Sequence, residues 1–265
     1  MNRGSLEGVG VVVTRPAQQA AALIGALERE GAAVLPFPAL EIVAGPEDEA
    51  MQRAAAAAAQ ADWLIFVSPN AVAHGLPRVR AAGGPAPQAR IATVGQGTAQ
   101  ALRRSGVGEV YYPTGGATSE DLLRETPLGC MEQTRGARVV IVRGRGGRQH
   151  LADTLRRQGA EVEFLEVYRR NCPATEPRPL LEAAAAGQIQ VALITSGEVL
   201  ENFLKLIGER GREWFRRASA VVIGERVAAL AAPHVGHVEV TATAAEDELI
   251  AAAARAAAAV KEIQE

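Results

Sequence analysis

Several short segments of this 265-residue chain set hydroxyl, glycine and arginine residues beside one another just where a helical pattern begins. They read Thr14-Arg15-Pro16, Ser68-Pro69-Asn70, Gly95-Gln96-Gly97-Thr98, Thr118-Ser119-Glu120, Arg143 to Arg148 (RGRGGR), Thr195-Ser196-Gly197 and Gly224-Glu225-Arg226. Small residues at such a turn let backbone N–H groups approach an anion, and the helix dipole adds about 0.3–1 kcal/mol per terminus. Ordinary N-capping by Ser or Thr accounts for any one of these turns taken singly. Together they suit a ligand that carries many carboxylates.

The segment from Arg143 is the most distinctive. Its glycines at 144, 146 and 147 do not make a GxGxxG dinucleotide fingerprint, and it lacks the lysine of a phosphate-binding loop. Arg143, Arg145 and Arg148 beside a glycine-rich turn make a better carboxylate clamp, because guanidinium pairs with carboxylate through two hydrogen bonds. Tyr168 ends an extended segment, where its hydroxyl could donate a proton or a hydrogen bond. There is no GxSxG or HExxH motif, and His74, His150, His234 and His237 have no partner at catalytic spacing. Cys130 and Cys172 lie far apart without histidines at ligand spacing, which indicates neither a zinc site nor a disulfide framework.

What holds these turns is a repeat. VVVTRPAQQAAALIGALEREGAAV from Val11 aligns with VVIVRGRGGRQHLADTLRRQGAEV from Val139, an offset near 128 residues. At that offset Ser68 falls on Ser196, one residue further pairs Gly95 with Gly224, and ATSEDLL from Ala117 resembles AAEDELI from Ala244. The strands are short continuous apolar runs (VVVT, WLIFV, RIATV, VVIV, VALIT, AVVIG), as expected of parallel strands covered on both faces. Between them, apolar residues such as Ala20, Leu23, Ile24 and Leu27 recur at helical spacing. Each half therefore reads as a doubly wound α/β unit. Ligand sites in such sheets lie beyond the carboxyl ends of the strands, where the turns above fall.

Two segments break the rhythm, 34–43 and 161–170, and both are extended in character. Either each stays in its own domain, or the pair crosses between domains as a two-stranded linker; periodicity does not choose. The alanine-rich stretches from Ala54 and Ala251 read as closely packed helices. Lys+Arg 28 against Asp+Glu 30 supplies no field for nucleic acid or an anionic membrane. The first apolar run is only strand-length, so a cytoplasmic protein is expected.

Taken in order, VVVTRP, FVSPNAV, VGQGTA, TSEDLL, RGRGGR with LADTLRRQGAEV and VYRR, ITSGEVLENF and IGERVAAL resemble the uroporphyrinogen-III synthase family over essentially the whole chain. The resemblance implies two similar flavodoxin-like, doubly wound parallel-sheet α/β domains joined by a two-stranded β-ladder. Their expected bounds are 1–35 with 171–265 for the first, 42–162 for the second, and 34–43 and 161–170 for the linker strands. It implies cyclisation of hydroxymethylbilane, with loss of water and inversion of the last ring, in the cleft between domains and without metal or cofactor. Tyr168 matches the tyrosine that assists the leaving hydroxyl. Thr14, Arg15, Ser68, Gly95, Thr98, Thr118, Ser119, Arg143, Arg145, Thr195, Ser196, Gly224 and Arg226 are the expected substrate-binding residues. Where relatives carry threonines after the second glycine turn, this chain has Glu225-Arg226-Val227. Further expectations are a monomer, a linear tetrapyrrole as small-molecule partner, transient contact with the enzyme that supplies it, and no nucleic acid or membrane. The alternative reading is a two-lobed small-anion binding protein without catalysis.

Overall fold

Residues 4–264 are described in a computed structural model of the chain; residues 1–3 and 265, which the expected first domain includes, lie outside them. The chain forms two compact units, Met1–Glu41 with Asn171–Glu265, and Ile42–Arg170. It opens with β1 (Gly10–Val13), α1 (Ala17–Arg29) and β2 (Ala33–Pro36). There follow β3 (Glu41–Ala44), α2 (Glu49–Ala59), β4 (Trp63–Phe66), α3 (Pro69–Ala81), β5 (Arg90–Thr93) and α4 (Gln96–Arg104). The middle continues through α5 (Ser119–Glu125), α6 (Met131–Thr134), β6 (Arg138–Gly144), α7 (His150–Arg157) and β7 (Glu161–Asn171). The last part holds α8 (Arg178–Ala185), β8 (Val191–Ile194), α9 (Gly197–Phe215), β9 (Ser219–Ile223), α10 (Glu225–Ala231), β10 (His237–Thr241) and α11 (Glu246–Gln264).

Each unit is built on a five-stranded sheet, ordered β10-β9-β8-β1-β2 in one and β3-β7-β6-β4-β5 in the other. The pairs β10–β9, β9–β8, β8–β1 and β1–β2 are parallel, as are β7–β6, β6–β4 and β4–β5. The repeat explains the order. Gly10 and Arg138, and likewise Trp63 and Val191, stand 128 residues apart at equivalent strand starts. The run β9-β8-β1-β2 thus corresponds strand for strand to β5-β4-β6-β7. Each sheet combines the opening strands of one half with the later strands of the other.

Both faces of the inner strands β1, β4, β6, β8 and β9 are covered, which is why their sequences are almost continuously apolar. In β4, Leu64 and Phe66 pack with Met51, Leu76 and Val79 on one side, while Trp63 and Ile65 pack with Leu122, Leu151 and Leu155 on the other. In the first unit Leu23 and Leu27 of α1 meet Leu249, Ala252, Ala253 and Ala256 of α11 over β1, β8 and β9. The alanines let that helix lie close to the sheet. Within α9 the backbone breaks at Gly208 (φ 60°, ψ −169°), a conformation open to glycine and strained for other residues.

The first extended segment lies partly, and the second wholly, in strands of the two sheets. Residues 34–36 lie in β2, 41–43 in β3, and 161–170 in β7, which pairs with β6 from Glu161 to Tyr168. No helix among the described residues is long and apolar enough to cross a membrane.

Candidate active site

Tyr168 is placed by an irregularity in β7. Pairing with β6 runs in register from Arg138 opposite Glu161 to Arg143 opposite Glu166, and then Gly144 faces Tyr168, leaving Val167 as the extra residue of a bulge. Val167 and Tyr168 both pack into the cluster that holds Ala71, Val72 and Leu76 of α3. Strict alternation would have sent Tyr168 with Phe164 and Glu166 to the opposite face.

The ring is then held on several sides. Its hydroxyl lies 3.1 Å from Ser68 Oγ, and the His74 ring sits against it at a centroid distance of 5.9 Å and an interplanar angle of 37°. Its carbonyl accepts from the Arg145 N–H at 2.7 Å. A Cβ on Gly144 would come within 2.5 Å of the ring, closer than any carbon contact allows. Gly144 is thus a glycine that makes room for an aromatic ring; an anion approaching the turn is not what requires it. Only 6% of Tyr168 is exposed. Burial, and the nearby Arg78 cation, hold His74 below the ordinary imidazole range, so the ring against Tyr168 is neutral near pH 7.

Ser68 precedes α3 in extended conformation and its Oγ accepts the Ala71 N–H at 3.1 Å, the ordinary N-cap bond. The glycine-rich turn also makes bonds within the protein. Glu166 Oε1 accepts the Gly146 N–H at 3.2 Å and stands 3.8 Å from Arg143 Nε. Arg143 is 4% exposed, stacks on Phe164 at 4.7 Å, and donates to the carbonyls of Gly144 and Arg148. Its Nη2 is buried without a hydrogen-bond partner.

Ser68, Thr118, Ser119, Arg143 and Tyr168 border one hollow of about 480 Å³ at the carboxyl ends of the strands, joined by Arg148 and Arg170. A second hollow of about 780 Å³ lies on the side of the β3–α2 connection, where Tyr168 meets Arg145, Arg169 and Glu166. Arg145 and Arg143 therefore serve different hollows. Gly95 and Thr98 border neither; Gly95 caps α4, and Thr98 is 5% exposed within that helix. Thr118 forms a capping box with Asp121, its hydroxyl 2.6 Å from Oδ2, which draws Asp121 below the usual carboxylate range.

In the first unit Thr14 is fully buried and its hydroxyl donates to the Leu193 carbonyl, which leaves no proton for a ligand. Arg15 donates to the Ala244 carbonyl at 2.9 Å; burial lowers its pKa while Glu246 opposes the shift. Ser196 caps α9 through the Val199 N–H at 3.2 Å, with Thr195 half-buried before it. Gly224 caps α10, and Arg226 is exposed on its first turn. Two hollows of this unit, about 550 and 430 Å³, draw on α8 and α9 and include none of these residues. Among the described residues no three His, Cys, Asp or Glu side chains gather to hold a metal ion.

Residues 21–251 match the family model described as uroporphyrinogen-III synthase HemD. This chain belongs to the uroporphyrinogen-III synthase family. The uroporphyrinogen-III synthase of Salmonella typhimurium is 32% identical over 225 residues, 84% of this chain and 90% of that protein. That of Synechococcus elongatus is 33% identical over 247 residues, 89% of this chain and 90% of that protein. Among solved structures, a mutant uroporphyrinogen III synthase from the extremely thermophilic bacterium Thermus thermophilus matches with a TM-score of 0.59 at 19% identity, covering 96% of this chain and 99% of that one. The enzyme from Helicobacter pylori matches at 0.56 and 14% identity, covering 95% and 99%. These two likenesses carry the two-domain α/β fold. At the turn where the resemblance would place a threonine, this uroporphyrinogen-III synthase family member has Val227, which is 4% exposed and serves the core of its unit.

Spacing missed His74, Gly144, Phe164 and Glu166 as residues that shape the site. Glu166 alternates with Phe164 along β7, so its facing could have been read. The bulge that separates Tyr168 from them has no signature in residue type.

Proposed function

We propose that the protein cyclises hydroxymethylbilane to uroporphyrinogen III, with loss of water and inversion of the last pyrrole ring. The observation that carries this reading is Tyr168, a phenol bonded to Ser68 at the rim of an arginine-bordered hollow in a chain of this family. Departure of the substrate's hydroxyl leaves an electrophilic azafulvene, which the last ring's own electrons attack. The protein's task is then to hold the chain, supply a proton to the leaving oxygen and prevent unguided closure.

In this scheme Tyr168 is the proton donor, and Arg148 and Arg170 meet substrate carboxylates. Arg143, held under the turn by Phe164 and backbone carbonyls, keeps the 144–148 segment in shape. Incubating purified protein with hydroxymethylbilane and no added cofactor should yield the type III isomer. Formation of the symmetric type I isomer alone, at the uncatalysed rate, would refute the proposal.

A further inference from the structure

Ser68 is expected from the sequence to meet substrate, and its position relative to Tyr168 assigns it a different task. A serine hydroxyl has one proton and two acceptor lone pairs. One lone pair of Ser68 is committed to the Ala71 N–H at the start of α3, a helix of 13 residues. Tyr168 Oη, 3.1 Å away, is the other polar atom bonded to Ser68 Oγ among the described residues.

We propose that Ser68 is a positioning residue for Tyr168: its hydroxyl donates to Tyr168 Oη, so that the phenol proton turns toward the hollow and is free for a leaving hydroxyl group. This deepens the reaction proposed above and rests on it. In this arrangement the Ala71 N–H donates to Ser68, which donates to Tyr168, and the dipoles run head to tail, each bond strengthening the next. The reverse arrangement makes Ser68 Oγ a double acceptor, leaves the serine proton without that partner, and spends the phenol proton inside the protein.

The chain of donors also balances the chemistry. As the substrate C–O bond breaks, the phenol proton leaves with the hydroxyl as water, and negative charge appears on Tyr168 Oη. That oxygen is then the acceptor of a hydrogen bond that originates at a helix N-terminus, where negative charge is favoured. The proton released when the cyclised product regains its pyrrole aromaticity restores the phenol. His74 on the ring and Gly144 beneath it fix where the hydroxyl can point.

Capping and donation can be separated by substitution. Ser68→Asp keeps the cap, since Asp serves as well as Ser at that position, but an ionised carboxylate has no proton to give and forces Tyr168 to donate inward. Ser68→Ala removes both functions, and Ser68→Thr retains both. The direction of the bond can be read without substrate from the Fermi doublet of tyrosine in Raman spectra. Subtracting the Tyr168→Phe spectrum isolates Tyr168 from Tyr111 and Tyr112.

The wild-type difference spectrum should report a phenol that accepts a hydrogen bond, and the Ser68→Asp spectrum one that donates. With hydroxymethylbilane, Ser68→Asp and Tyr168→Phe should each lower kcat by about 10²-fold and shift KM far less. Ser68→Thr should recover most of the rate lost in Ser68→Ala. A donor signature for wild-type Tyr168, or a Ser68→Asp kcat equal to wild type, overturns the inference. Absence of type III product from the wild type overturns the reaction itself, and with it the purpose of the bond, whichever direction the spectrum gives.

Discussion

Gly144→Ala tests how the site is built independently of what it catalyses. The added Cβ would lie 2.5 Å from Cε2 and 2.6 Å from Cζ of Tyr168, against ordinary carbon contacts of about 3.5–4.0 Å. The ring must therefore retreat by about 1 Å, which stretches its bond to Ser68 beyond hydrogen-bonding range. Overpacking of this kind costs about 1–3 kcal/mol. Gly144 does not have positive φ, so alanine is compatible with the backbone and returns about 0.4–1 kcal/mol through the unfolded chain. The net expectation is a loss of up to about 2.6 kcal/mol. In a Tyr168→Ala background the clash is gone and only the gain remains, so the sign reverses. Trp63 belongs to this unit and Trp214 to the other, so urea unfolding followed by fluorescence in a Trp214→Phe background reports the relevant unit alone. An equal effect of Gly144→Ala in both backgrounds would refute the steric reasoning. A displacement of about 1 Å should also lower kcat by about 10²-fold.

Tyr168→Phe should reduce kcat by about 10²-fold with little change in KM, measured from initial rates of type III formation. Arg143→Met should destabilise the second unit by about 1–3 kcal/mol, because it strips hydrogen bonds from the Gly144 and Arg148 carbonyls, and urea midpoints would show it. Arg148→Ala, an exposed change, should leave stability within about 0.5 kcal/mol and raise KM. His74 has a folded pKa below its unfolded value, so its contribution is complete above the ordinary imidazole range near 6.5 and is lost as pH falls through the folded value. Unfolding midpoints should accordingly drop as pH falls below about 6.5. His74→Gln should flatten that part of the profile. The lowered carboxylates Asp121 and Glu125 act at more acid pH, below their ordinary values, and leave this window clear.

The α/β class was legible because it depends on local composition: runs such as WLIF are buried on both faces, and the residues between them keep helical period. The repeat also carried the equivalence of β1 with β6 and of β4 with β8. For the candidate site, residue types could be read but their geometry could not. Hydroxyl residues at turns could be picked out, yet whether each faces a ligand or its own backbone depends on neighbours remote in sequence. Thr14 spends its proton on Leu193, 179 residues away, and Tyr168 meets Ser68 across 100 residues. In the glycine-rich turn, one N–H, that of Gly146, meets Glu166 from β7. The bulge at Val167 left no trace because it arises from the pairing of two strands.

The exchange of strands between the halves also sets an order for the nascent chain. Residues 42–170 are contiguous, so their sheet can close as soon as β7 has emerged. The opening segment cannot: β1 pairs with β8, so that Val11 waits for Val191, 180 residues further along the chain. Until then its run of valines has one unpaired edge and an uncovered face. A ribosome adding roughly 5–20 residues per second leaves that apolar strand waiting for about ten seconds or more. Synthesis speed and chaperone access therefore bear first on the opening strands, although the catalytic tyrosine proposed here lies in the unit that folds without delay.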